Sequence, residues 1–389
     1  MPTGLEALWF SLIGLLWAGY FLLEGFDFGV GMISPVVSRD GTDRRLCLNS
    51  IGPVWDGNEV WLIVAGGATF AAFPLWYARL FSGAYLALFV VLLALIVRNV
   101  SFEFRHRVDS VRWRHTWDAA NAAGSLVAAL IWGVAFTDLA HGLPLSPAGY
   151  SGGLAGLLHP LALLGGLTAV AVFAFHGSVF LSLKTTGELR RRARRSAGAI
   201  GGAAMVLLAG TIAGIAVQGR PWGTASGAVP TGVPLGGGLL AVMLLAAATL
   251  AITRAHEGLA FTATGAAVLL SVGAVWAFMY PMALPASSGS AAEGVPGLSI
   301  AAAASQPSPL TVMTIAAAIF TPFVLLYQGW TYWVFRHRLS RPPEPGGPGG
   351  AAVTPPPGSP SGAPSDGGPA AIPPGAGPRT PPEPVPTVR

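Results

Sequence analysis

Asn49-Ser-Ile-Gly-Pro-Val-Trp-Asp-Gly-Asn-Glu-Val-Trp61 leads straight into Leu62-Ile-Val-Ala-Gly-Gly-Ala-Thr-Phe-Ala-Ala-Phe-Pro74, so Asp56 and Glu59 stand at the head of a hydrophobic run. A carboxylate placed at mid-membrane depth costs on the order of 2.5–3.5 kcal/mol even on lenient scales, and acidic groups near such runs are therefore functional candidates. The preceding apolar run poses the same question with Glu24-Gly-Phe-Asp27. Neighbouring spans that both carry carboxylates suggest a path for protons or ions.

The rest of the chain fits this reading. Its 389 residues are 52% hydrophobic and 10% charged, with a mean hydropathy of +0.60, which excludes a water-soluble domain of this size. Windows long enough to cross about 30 Å of hydrocarbon mark nine expected spans: Leu8–Pro35, Val54–Leu75, Leu80–Val100, Thr116–Leu139, Leu157–Leu183, Ala197–Val217, Leu235–Thr253, Leu259–Met282 and Leu310–Phe335. Backbone groups cannot stay unpaired in lipid, so the spans are helices and the fold class is all-α, polytopic. Four spans, four more and a last one suit two four-helix bundles plus one additional helix. The first run lacks a basic flank and continues into Glu24 and Asp27, which reads as a retained span, not a cleaved leader.

Charge sets the expected orientation. Eighteen of the 22 Lys and Arg follow the odd-numbered spans, including Arg98, Arg105 and the run Arg190 to Arg195, whereas the opposite loops hold only Arg79 and Arg220. The positive-inside rule then puts the N-terminus outside and the C-terminus in the cytoplasm. The net charge of +5 reflects this topology and does not indicate a nucleic-acid surface. Residues 1–340 form the expected membrane domain. From 341 to 389 the chain is dense in Pro, Gly, Ala and Ser, as in Pro342-Pro-Glu-Pro-Gly-Gly-Pro-Gly-Gly350, and reads as a disordered cytoplasmic tail. The outer loop from Ala286 to Pro309 is expected to be irregular.

With that orientation, Glu24 and Asp27 share a helix face in the cytoplasmic half of the first span. Asp56 and Glu59 open the second span, and Glu103 closes the third on the same side. Together they make a candidate proton entrance. Structural roles compete for each residue: Asp56 as a helix cap, Glu103 as partner of Arg98 or Arg105. Most aromatics near span ends, Trp61, Trp76, Tyr77, Trp113 and Trp117 among them, read as an interfacial belt, with Trp55 beside Asp56 the exception. Gly25, Gly29, Gly31, Gly66 and Gly67 read as helix-packing positions. Cys47 is the sole cysteine, which rules out an internal disulfide, a Cys-held cluster and CxxC haem attachment. His159 and His176 lie seventeen apart at different depths of the fifth span, and His141, His256 and His337 fall near helix ends, so no metal or haem site is assigned to this chain.

Gly19-Tyr-Phe-Leu-Leu-Glu-Gly-Phe-Asp-Phe-Gly-Val-Gly-Met32, the segment Asn49 to Trp61, Gly66 to Pro74, and Leu325-Leu-Tyr-Gln-Gly-Trp-Thr-Tyr-Trp-Val-Phe-Arg336 closely resemble subunit II of the bacterial cytochrome bd quinol oxidase, over residues 5 to 340. The resemblance implies a heterodimeric complex of the bacterial plasma membrane that oxidises quinol, reduces dioxygen to water and draws its protons from the cytoplasm, separating charge without a pump. It places haems b and d and the quinol-oxidising loop in subunit I and leaves room for small accessory subunits. It carries Asp27, Asp56 and Glu103 over as a proton channel, with Trp55 as a channel or quinone contact; Glu24 and Glu59 are added from their position alone. Where relatives often show Asn-Ala-Ser, this chain reads Ala302-Ala-Ala-Ser305, and Pro309 replaces a frequent Thr, which argues against a hydrogen-bonding role for this loop. Two rivals are a secondary ion-coupled transporter and a purely structural subunit. The lack of paired inverted halves with matching helix breaks counts against the transporter.

Overall fold

A computed structural model describes residues 1–147, 149–218, 229–295 and 297–341, without the side chains of residues 154 and 155. Arg220 and the expected tail beyond residue 341 lie outside the described residues. Among the described residues, eight helices are long and apolar enough to cross a membrane. They are α1 (Gly4–Val37), α5 (Tyr85–Phe104), α6 (Val111–His141), α8 (Pro160–Lys184), α9 (Gly187–Gln218), α10 (Gly232–Thr253), α11 (Glu257–Met279) and α14 (Pro307–Val334). The expected second span forms as α3 (Trp55–Ala72), but it does not meet that apolarity. The physical reason is its first turn, where Asp56, Asn58 and Glu59 dilute the run. Phe73 then leaves helical geometry, and Pro74 opens α4 (Pro74–Gly83) as a separate helix, because proline cannot donate to the preceding turn.

Helices α8, α9, α10 and α11 pack in sequence, and α11 closes back on α8, giving one four-helix bundle. Helices α1, α3, α5 and α6 form the other, and α1 and α6 carry it against α8. The α1–α8 crossing is set by glycine: a Cβ on Gly29 would sit 1.9 Å from the Phe173 carbonyl oxygen, and one on Gly177 2.4 Å from the Gly29 carbonyl carbon. Small residues at such crossings let backbones touch where lipid gives no hydrophobic drive. Gly66 and Gly67 behave otherwise. Nothing lies within 4 Å of their Cβ positions, and they border a cavity of about 750 Å³ between α3, α4, α5 and α6. Trp76 departs from the belt reading too: it is buried, and its ring lies 5.9 Å from Phe10 and 6.4 Å from Trp276.

Helix α14 lies at the periphery, with only 6% of its apolar stretch buried. Its first turns are held by Trp9, whose Nε1 reaches the Leu310 carbonyl (3.2 Å) and Thr314 Oγ1 (3.0 Å). Past its other end, residues 335–341 form a strap. Lys184 Nζ donates to the Phe335 carbonyl, Leu339 N to the Lys184 carbonyl (2.7 Å), and Arg341 to Asp40 (2.6 Å) and Asp43 (2.9 Å) on the short helix α2 (Gly41–Ile51) and its cap.

The Ala286–Pro309 loop is ordered, contrary to expectation. Two short helices, α12 (Ser288–Ala292) and α13 (Ile300–Ala303), form there, and β3 (Met282–Pro285) pairs antiparallel with β4 (Gly297–Ser299). It also makes hydrogen bonds despite the loss of Asn: Ser305 donates from N to the Ala72 carbonyl (2.8 Å) and from Oγ to the Ala71 carbonyl (2.7 Å). Those carbonyls end α3 and have no helical partner, so the serine caps them. The remaining elements, β1 (Leu145–Ser146), β2 (Gly149–Tyr150) and α7 (Gly153–Leu157), connect α6 to α8.

Candidate functional site: a buried carboxyl cluster

Three residues apart on α1, Glu24 and Asp27 point the same way, and both are 0% exposed. Facing them from α5 is Arg98, equally buried, whose Nη1 donates to Glu24 Oε1. Its guanidinium lies 5.1 Å from the Phe28 ring centre and 5.5 Å from that of Phe102, so aromatic faces serve as part of its solvent. Arg98 is thus no loop residue, as the charge count had it. It follows a long apolar run and so reads as a span end, but its partner is 74 residues away in sequence.

Asp27 is held by α3. Asn58 Nδ2 donates to Asp27 Oδ2 at 2.7 Å, and Asn58 itself is fully buried. One residue on, half-buried Glu59 accepts from Asn99 Nδ2 of α5 at 2.5 Å. Glu24 thus pairs directly with Arg98, and Asp27 and Glu59, each on a neutral amide partner, lie within the electrostatic reach of the same guanidinium. Glu24 Oε2 and Asp27 Oδ1 are buried without a donor, and the two carboxyl groups lie close enough to act on each other's charge.

Asp56 and Glu103 stand apart from this cluster. Both are exposed, and neither makes a hydrogen bond or ion pair among the described residues. The expected capping by Asp56 does not occur, since Val54 stands at the N-cap of α3 and no side chain caps it. Nor does Glu103 pair with Arg98 or Arg105: Arg98 goes to Glu24, and Arg105 Nε donates to Asp118 Oδ1 at 2.7 Å. Half-buried Trp55 packs on Phe102 with ring centres 5.1 Å apart. That contact sets the first turn of α3, with Asp56, beside the last turn of α5, with Glu103.

Asn58 and Asn99 are the members that sequence reasoning passed over, together with Asp43, Asp118 and Glu257, which neutralise basic residues at the charged end, while Arg98 was offered to Glu103 and pairs with Glu24. Glu257 accepts from Arg190 at 2.7 Å, and Arg192 pairs with Asp43. Asp40, the α2 cap, has its carboxyl held below the usual range by the Asp43 backbone amide, with burial opposing and Arg341 assisting. The one available signal was polarity: Asn58 lies between Asp56 and Glu59 in an otherwise apolar stretch.

Both histidines of the expected fifth span, His159 and His176, have their ring nitrogens engaged. His176 is buried with both ring nitrogens engaged, Nδ1 with Thr264 Oγ1 (2.7 Å) and Nε2 with the Leu22 carbonyl (3.2 Å). His159 uses Nε2 on Asp138 (2.9 Å) and accepts at Nδ1 from Ala162 N (3.4 Å), capping α8. Neither offers iron a free nitrogen.

Fold and site together define a multi-pass membrane subunit built around buried acidic groups. Residues 5–335 match the family described as cytochrome bd terminal oxidase subunit II. Subunit 2 of the cytochrome bd ubiquinol oxidase of Bacillus subtilis is 39% identical over 339 residues, covering 87% of this chain and 98% of that one. The bd-I ubiquinol oxidase subunit 2 of Escherichia coli K12 is 34% identical over 373 residues, covering 87% and 96%. A solved structure, the bd oxidase of Geobacillus thermodenitrificans, superposes with a TM-score of 0.67 at 16% identity, over 86% of this chain and 99% of that one. The chain belongs to the cytochrome bd terminal oxidase subunit II family.

Proposed function

We propose that this chain works as the haem-free subunit of a quinol-oxidising, dioxygen-reducing complex and supplies the proton path from the cytoplasm to its partner. The partner, subunit I, holds haems b and d, which carry out the oxygen chemistry. The N-terminus then faces outward and the charged end inward, as the Lys and Arg distribution supports.

The observation that carries this reading is the charge count at the cluster: Glu24 pairs with Arg98, while Asp27 and Glu59 are held by the neutral amides of Asn58 and Asn99 within the electrostatic reach of that one guanidinium. Excess buried carboxylates in a low-dielectric interior are stabilised by taking up protons. A proton shared between Glu24 and Asp27 would also supply the donor that Glu24 Oε2 and Asp27 Oδ1 lack. Asp56 and Glu103, exposed at the rim, collect protons. Glu59, hydrogen-bonded to Asn99, leads inward, and Asp27 receives them. Trp55, packed on Phe102, closes the side of this entrance. Protons consumed from inside and quinol protons released outside separate charge without pumping.

The Glu24–Arg98 pair favours a second reading for that residue alone, a structural tie between α1 and α5. The test is turnover of the purified complex with haem content as the control. Asp27→Asn and the double variant Asp56→Asn/Glu103→Leu are expected to lower quinol-dependent oxygen consumption by about a hundredfold at normal haem content, the lower end of what a positioned proton-transfer group contributes. Unchanged turnover in both would leave this subunit a structural one.

A further inference from the structure

Asn58 uses every hydrogen-bonding position of its side chain. Nδ2 donates to Asp27 Oδ2 (2.7 Å) and to the Leu23 carbonyl (3.5 Å), while Oδ1 accepts from Tyr332 Oη (2.7 Å) and Gln328 Nε2 (3.2 Å). An amide has two donors and two acceptor lone pairs, so this set fixes which way it points. Turned by 180°, Asn58 would set its oxygen against the Asp27 carboxyl oxygen and the Leu23 carbonyl. The two groups that engage its oxygen both come from α14.

That origin is informative. Helix α14 contributes little buried surface, yet it is anchored at one end by Trp9 and at the other by the 335–341 strap. Tyr332 also packs edge-on to Phe26 of α1 at 6.5 Å. Its anchors keep Gln328 and Tyr332, one turn apart on one face, within reach of a residue more than 250 positions earlier in the chain, separations of 270 and 274.

We propose that Tyr332 and Gln328 are positioning residues for the proton path: they hold the Asn58 amide so that its NH₂ faces the Asp27 carboxyl. The inference rests on Asp27 lying on that path. Neither α14 residue touches the carboxyl group; each acts through Asn58. The arrangement gives the peripheral helix a task that its sparse packing does not explain.

The experiment is a double-mutant cycle on turnover of the assembled complex, with haem content and the quinol KM measured alongside. Tyr332→Phe keeps the ring against Phe26 and removes only the hydroxyl. It is expected to lower kcat about fivefold, the scale of one net hydrogen bond, at unchanged KM. Gln328→Met is expected to do the same to a smaller degree, and Asn58→Leu to lower kcat about tenfold or more. The decisive variant is Asn58→Leu/Tyr332→Phe, expected to be no slower than Asn58→Leu alone, because groups acting through a common partner are not additive. Multiplying effects in the double variant, or full activity of Tyr332→Phe, would overturn the proposal. If Asp27→Asn is impaired while Asn58→Leu is normal, this inference falls and the proton path stands; if Asp27→Asn is itself normal, the path falls and this inference with it.

Discussion

Replacing Arg98 with methionine removes the one cation of the buried cluster while keeping most of the side-chain volume. Arg98 and Glu24 are both 0% exposed, so water cannot screen the charge left behind. Breaking a buried pair from one side costs about 3–5 kcal/mol, and two opposite charges at about 4 Å interact by about 4 kcal/mol at an effective dielectric constant of 20. Set against a typical stability of about 5–15 kcal/mol, this is a large fraction. With about 2.1 cal/mol/K of unfolding entropy per residue, a unit of this size shifts by about 1–2 °C per kcal/mol, so the unfolding midpoint should fall by about 4–7 °C. The assay is thermal unfolding of the detergent-solubilised complex followed by tryptophan fluorescence, since Trp76 and Trp132 are both buried in the main apolar core. Arg98→Met/Glu24→Leu should recover most of the loss, because an apolar pair replaces a buried ion pair at little cost. An unchanged midpoint in Arg98→Met, or no recovery in the double variant, would refute the reasoning.

Truncation tests the strap. A chain ending at Arg341 retains the Lys184, Arg338 and Arg341 contacts and should assemble and turn over as the full chain does, whereas one ending at Val334 should lose activity and expose α14 to limited proteolysis. Cys47 is 0% exposed and its thiol is pushed up to about 11 by burial, against an ordinary value of 9.0. At pH 8 its thiolate fraction is about a hundredfold below that of an ordinary cysteine, so maleimide labelling of the native complex should be at least that much slower than of the denatured chain.

Much of the architecture could be read along the chain. Hydropathy located the long helices to within a few residues at most ends, and the i,i+3 spacing of Glu24 and Asp27 put them on one face, as found. Misreadings arose where local pattern and tertiary environment diverge. Arg98 looked like a span end because a charge after an apolar run signals an interface, yet its counter-charge comes from α1. Trp76 looked interfacial and packs in the core instead, while the Ala286–Pro309 loop, poor in large side chains, is ordered by strand pairing and by Ser305 on the α3 carbonyls. Asp56 and Glu103 were grouped with the deep carboxyls because sequence gives depth along a helix but not the direction a side chain faces around it.

By itself, then, the sequence determined a multi-helix membrane protein with acidic groups gathered at one end, because transfer of side chains and backbone into hydrocarbon is a local energetic matter. The tertiary structure decided which of those groups share a counter-charge and which face solvent. Glu24 finding Arg98, and Asn58 finding Asp27, Gln328 and Tyr332, depend on which helix faces pack together, and helix packing is a property of the assembled bundle.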